Sequence, residues 1–163
     1  MKLKELEIAI NEIKPLVGNL KKIITLYTDI IIIGNGGSNA VASHISQDYT
    51  KILGKRAISF SDPSRLTCYI NDYGIDEAYK EFIKDFGSKN SLIILMSSSG
   101  NSLNVYNAAL YCKEKNIPFL LLSGFKKNNK LNILDGALMK YWVNSEDYGV
   151  VESAHLIFLH SIV

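Results

Sequence analysis

The sequence predicts an α/β fold, a three-layer sandwich whose central, mostly parallel sheet carries helices on both faces, preceded by a helical N-terminal segment. Two observations predict it. Short unbroken apolar runs near Ile30, Ile93 and Leu120 alternate with stretches of helical periodicity, which is how strands buried on both faces read. Two of those runs also end in small-residue turns, Gly34-Asn-Gly-Gly-Ser38 and Ser97-Ser-Ser-Gly-Asn-Ser102, each entering a helix.

From Leu3 to about Tyr27 the apolar residues Leu6, Ile10, Ile13, Val17, Leu20 and Ile24 recur every three or four positions, and Pro15 kinks the run. This amphipathic stripe needs a partner surface, and the same helix of a second subunit is the expected one. Beyond it the pattern predicts strands near 30–34, 57–60, 91–96, 118–123 and 138–143, and helices near 38–52, 76–86, 102–115 and from about 149. Pro118 marks the entry to one strand, and Val105, Ala108, Ala109 and Cys112 share the core-facing side of the helix before it. One domain over 1–163 is expected, with 1–27 for oligomerisation and 28–163 as the sheet core.

Composition narrows the function classes. Eighteen basic residues against 16 acidic give a net charge of +2. The basic residues are scattered apart from Lys126, Lys127 and Lys130, which argues against nucleic acid as a partner. No apolar run approaches the length of a membrane span, and Met1-Lys-Leu-Lys opens a charged helix rather than a signal peptide. Cys68 and Cys112 have neither metal nor redox spacing, so a reducing cytoplasm is the expected location.

The two turns carry the chemistry. At the carboxyl ends of neighbouring parallel strands, the amides and hydroxyls of Asn35, Gly36, Gly37, Ser38, Ser97, Ser98, Ser99, Asn101 and Ser102 would converge on one anion. A phosphate fits this donor set without a lysine. The Gly-Lys-Ser/Thr ending of a Walker loop is missing, and so is the GxGxxG spacing of dinucleotide folds. Asn101 or Ser102 is positioned to cap the helix that follows.

Gly34-Asn-Gly-Gly-Ser38, Asn71-Asp-Tyr-Gly74, the Ser97–Ser102 loop and a closing helix with two histidines resemble the sugar-isomerase (SIS) domain of phosphoheptose isomerases. The resemblance implies a flavodoxin-like SIS sheet and a homotetramer with active sites at subunit interfaces. It also implies bound zinc, and interconversion of sedoheptulose 7-phosphate with an aldoheptose 7-phosphate for bacterial lipopolysaccharide or capsule. Relatives of this fold that sense sugar phosphates or act as adaptors supply the alternative, a non-catalytic binding module, and an isomerase of another sugar phosphate is a further one.

His44 and Asp48, four apart on one helix, project from one face and suit a divalent metal. By resemblance the ligands are His44, Asp48, Glu152 and His160, with Asp48 standing where glutamate is expected and Glu152 where glutamine is. Glu152 and His160 lie eight positions apart, about 12 Å of ideal helix, so they could share an ion only by reaching toward each other. His155 is a neighbouring candidate. Proton transfer through an enediol needs an acid/base near each carbon, and the resemblance points to Asp48 and His160. Glu152 is also expected near substrate, as is Asp72, which a turn-forming Asn-Asp explains equally well. Gly149 stands where the resemblance implies an acidic residue three positions before Glu152, and the arginine it implies shortly after Asp48 has no counterpart in Tyr49-Thr-Lys-Ile52, with Lys51, Lys55 or Arg56 as substitutes.

Overall fold

A computed structural model describes residues 2–163, and Met1, which the sequence reading places at the start of the first helix, lies outside them. The elements run α1 (Leu3–Ile13), α2 (Val17–Leu26), β1 (Asp29–Gly34), α3 (Gly36–Lys51), β2 (Arg56–Ser59), α4 (Pro63–Tyr73) and α5 (Ala78–Phe86). They continue with β3 (Ser91–Ser97), α6 (Leu103–Lys115), β4 (Phe119–Ser123), α7 (Lys130–Ile133), β5 (Met139–Trp142) and α8 (Tyr148–His160). Pro15 sits in a 3₁₀ turn, Lys14–Leu16, that joins α1 to α2; its missing N–H and fixed φ suit that turn better than a helix interior.

All strand pairs are parallel and the order is β2-β1-β3-β4-β5. Alternate strand residues feed opposite layers, as the pleat requires. Ile30, Ile32, Leu92, Ile94, Met96, Leu120 and Leu122 pack with α1, α2, α3 and α8. Ile31, Ile33, Ile93, Leu95 and Leu121 pack with α5, α6 and α7. Order and layers make this the flavodoxin-like arrangement, whose strand order reverses between β1 and β3, the place where such sheets open a crevice. The register puts Gly34 beside Met96, so both small-residue turns leave the sheet side by side.

Two helices, α4 and the four-residue α7, are absent from the elements that the periodicity predicts. No residue of α4 is fully buried; Leu66, Tyr69 and Ile70 form a short apolar stripe that only partly buries against the α5–α6 layer and that the sequence reading passed over. Its signal is local instead: Pro63 occupies the first turn and Asp62 caps it by accepting from the Arg65 amide at 2.8 Å. Asn71–Tyr73 form the last turn of α4, which ends at Gly74. The N-terminal stripe is partly satisfied within the chain, since Ala9, Ile13, Leu20 and Ile24 are buried in the α3–α8 layer while Ile8 and Ile10 stay exposed. Cys68, expected in an apolar setting, is exposed and Cys112 is buried.

Candidate active site

The first amide to find an intrahelical partner in α3 is that of Asn39, bonded to the Asn35 carbonyl, which leaves the amides of Gly36, Gly37 and Ser38 at the helix mouth. The Asn35 side chain does not cap them. It is engaged instead in a two-way amide pair with Asn104, at 2.9 and 3.0 Å, and accepts from the Tyr79 hydroxyl at 2.6 Å. Burial pushes the Tyr79 phenol up to about 12, so it remains a donor. This network ties the turn after β1 to the first turn of α6. Sequence reasoning missed Asn104 and Tyr79, and only the structure shows that Asn104 is buried.

The loop after β3 is closed by Ser97 and Ser102, whose hydroxyls lie 2.9 Å apart, and Ser102 occupies the N-cap of α6 without bonding a helix amide. Two helix mouths therefore open onto one pocket of about 360 Å³, lined by residues 35–38, Ser97, Ser98, Ser99 and Ser102, with Tyr148 and Glu152 from α8. The buried Ser98 Oγ makes no hydrogen bond of standard geometry, and its polar neighbour is the Glu152 carboxyl, whose charged form it stabilises. Of the residues expected here, Asn101 does not line the pocket: its Oδ1 accepts from the Lys130 amide at 3.1 Å, stapling the loop to α7. Asn129 completes that staple. It is buried, donates to the carbonyls of Gly124 and Lys126 at 2.9 Å each, and accepts from the Asn132 amide at 2.8 Å.

Glu152 presses its carboxyl directly onto Gly37, where any Cβ would collide with it. Burial holds the carboxyl above the ordinary glutamate range, and the nearby Ser98 hydroxyl offsets part of the rise. Eight positions on, His160 Nε2 meets Asp48 Oδ2 at 2.5 Å, and His44 Nε2 stands 3.5 Å from the same oxygen. The ligand-capable atoms of His44, Asp48 and His160 all lie within 4.8 Å of one another, and Glu152 is not in that group. The helical rise is the reason, since it separates the two carboxylates along the α3–α8 seam. An N, N, O donor set of this spacing is compatible with a metal ion. Asp72 lies outside the pocket, at the end of α4, where it accepts from the Asn71 amide at 2.9 Å.

The seam is rigid. Tyr49, fully buried on α3, donates its hydroxyl to the Leu159 carbonyl at 2.9 Å, which sets the two helices in register one residue from both Asp48 and His160. His155 is not at either centre. Its ring is fully buried, with Nε2 3.2 Å from the Ser123 carbonyl and Nδ1 unpartnered. Burial lowers its pKa to about 4, against the opposing pull of the Ser123 carbonyl, so the ring is neutral at pH 7 and Nε2 donates.

No family model matches the sequence. Individual relatives do. The chain is 31% identical over 157 residues to the phosphoheptose isomerase of Fusobacterium nucleatum, covering 93% of this chain and 79% of that one. The chain belongs to the phosphoheptose isomerase family. Within that family it is also 34% identical over 137 residues to the enzyme of Helicobacter pylori, covering 80% of this chain and 70% of the other. The phosphoheptose isomerase structure from Neisseria gonorrhoeae shares its fold, with a TM-score of 0.81 at 24% identity over 98% of this chain and 92% of the other.

Proposed function

We propose that this chain interconverts sedoheptulose 7-phosphate and D-glycero-D-manno-heptose 7-phosphate through an enediol. The observation that carries the reading is the placement of the two centres. Ser38 and His44 are six residues apart on α3, and Glu152 and His160 eight apart on α8, which are about 9 and 12 Å of helix. An extended heptose phosphate spans a comparable distance, so its phosphate can sit in the Gly/Ser pocket while its carbonyl end reaches the His–Asp–His group.

The phosphate oxygens would accept from the amides of Gly36, Gly37 and Ser38 and from the hydroxyls of Ser97, Ser98 and Ser102, aided by two helix dipoles. At the far end, one of the pair Asp48 and His160 removes a proton from C1 of the ketose as the other protonates the C2 oxygen. Return of the first proton to C2, with loss of the C1 hydroxyl proton to the partner, leaves the aldose. His44, Asp48 and His160 would hold zinc, one per subunit, which when bound supplies a Lewis acid for the developing enediolate oxygen. Both histidines face Asp48 Oδ2; a coordinated imidazole would be no free base, so with zinc held there Asp48 Oδ1 would be the atom to carry the proton, and His160 would act only if released from the metal as substrate binds.

We further infer a cytoplasmic homotetramer acting in bacterial heptose synthesis for lipopolysaccharide or capsule, built from the single domain 1–163 with its N-terminal helices at a subunit interface. The His44 side chain is 56% exposed and Ile8 and Ile10 are uncovered, which suits a site and a helix face finished by a second subunit. Among the described residues no helix is long and apolar enough to cross a membrane. The direct test incubates the protein with sedoheptulose 7-phosphate, with and without added zinc, and follows the aldoheptose product by NMR. Product formation supports the reading; tight binding without product under both conditions would assign the chain to the non-catalytic sugar-phosphate binders instead.

A further inference from the structure

Tyr148 is the only aromatic residue lining the phosphate pocket among the described residues, and its side chain is uncovered, with 60% of the residue exposed. Its ring is braced from behind. Phe125 meets it edge-on, with centroids 4.9 Å apart and planes at 71°. To stand there Phe125 adopts a φ of 55°, a left-handed conformation that a bulky side chain rarely takes and that clusters at functional sites.

The surroundings hold that conformation in place. The Phe125 amide donates to the Ser145 carbonyl at 2.9 Å and its carbonyl accepts from Trp142 Nε1 at 3.2 Å. Both partners lie in the segment that leads from β5 into α8, so the strained residue clasps the strand that delivers Tyr148 to the pocket. Gly149, next in the chain, adds no side chain.

The rest of the pocket wall is hydroxyl, amide, glycine and one carboxyl, all suited to oxygens. A phosphorylated sugar also presents C–H faces, and the Tyr148 ring is the one surface that matches them. We propose that Tyr148, braced by Phe125, is a specificity-determining residue that covers the carbon chain of a phosphorylated sugar beside its phosphate ester. Inorganic phosphate, lacking that chain, makes no use of it. The inference rests on the reading of this pocket as the phosphate site.

Calorimetric titration of the full chain with inorganic phosphate and with sedoheptulose 7-phosphate separates the two ideas. Tyr148→Ala should weaken the sugar phosphate about tenfold and inorganic phosphate less than about twofold, as expected for loss of one aromatic contact. Tyr148→Phe should keep most of the affinity. Phe125→Gly, which tolerates the left-handed backbone and removes the brace, should fall between them. The inference is overturned if Tyr148→Ala binds the sugar phosphate as wild type does, if it weakens both ligands equally, or if Tyr148→Phe loses as much as Tyr148→Ala. A wild-type chain that binds neither ligand removes the phosphate reading of the pocket, and the inference with it.

Discussion

His160 Nε2 lies 2.5 Å from Asp48 Oδ2, although 112 residues separate the two in sequence. The contact exists because α3 and α8 run side by side on one face of the sheet, locked by the Tyr49 hydroxyl on the Leu159 carbonyl. A carboxylate and an imidazole so arranged can pass a proton between adjacent carbons, and the pocket proposed for the phosphate lies elsewhere along the same two helices.

That separation predicts a split between turnover and binding. His160→Ala and Asp48→Asn should each lower kcat by at least about a hundredfold, the usual worth of a positioned acid or base, while the affinity for the sugar phosphate changes by less than about fivefold. Steady-state kinetics paired with calorimetry reads both quantities. An equal loss in binding would place the histidine in the phosphate site.

Glu152 stands at the mouth of α3 where a phosphate would sit, so an ionised carboxyl there opposes the ligand. Glu152→Gln should tighten inorganic phosphate at pH 8 by about tenfold, the scale of one charge repulsion near a protein surface. The raised pKa sets the sign: as pH falls and the carboxyl takes its proton, the difference between variant and wild type should shrink. Titration at two pH values checks it.

Gly100 lies in the left-handed region with φ of 66°, and a Cβ there would collide with the Asn129 side chain. Gly100→Ala should therefore lower stability by about 2–4 kcal/mol, backbone strain and overlap adding. Urea denaturation measures this, and phosphate affinity should fall with it because Asn129 and α7 staple the serine loop.

His155 is buried neutral with a pKa of about 4 against an ordinary 6.5. Its folded value is depressed, so its contribution is fully present above pH 6.5 and is lost as pH falls through 4. By linkage that amounts to about 3 kcal/mol. His155→Gln should flatten the stability profile between those limits, as thermal or urea unfolding across pH would reveal.

The layer architecture was legible because strands buried on both faces leave unbroken apolar runs, and the two Gly/Ser turns because clusters of small polar residues directly after such runs mark strand-to-helix corners. The Asn35–Asn104–Tyr79 and Asn129 networks were not, since each joins residues far apart in the chain and an asparagine reads alike in a loop or a core. Of the two places expected for Glu152, it lines the Gly/Ser pocket and stands outside the His44–Asp48–His160 group, because helical rise separates it from His160. Helix α4 was passed over because its stripe of Leu66, Tyr69 and Ile70 is short and only partly buried, although Asp62 with Pro63 marks its start. Asp72, expected near the sugar, ends that helix outside the pocket.

A crystal structure with sedoheptulose 7-phosphate bound tests the central claim most directly. The account predicts the phosphate between the Gly36–Ser38 amides and the Ser97–Ser102 loop, with C1 and C2 beside His44, Asp48 and His160 of the same chain or a neighbouring subunit. A phosphate bound away from both turns, or reacting carbons remote from every copy of His160, would contradict it.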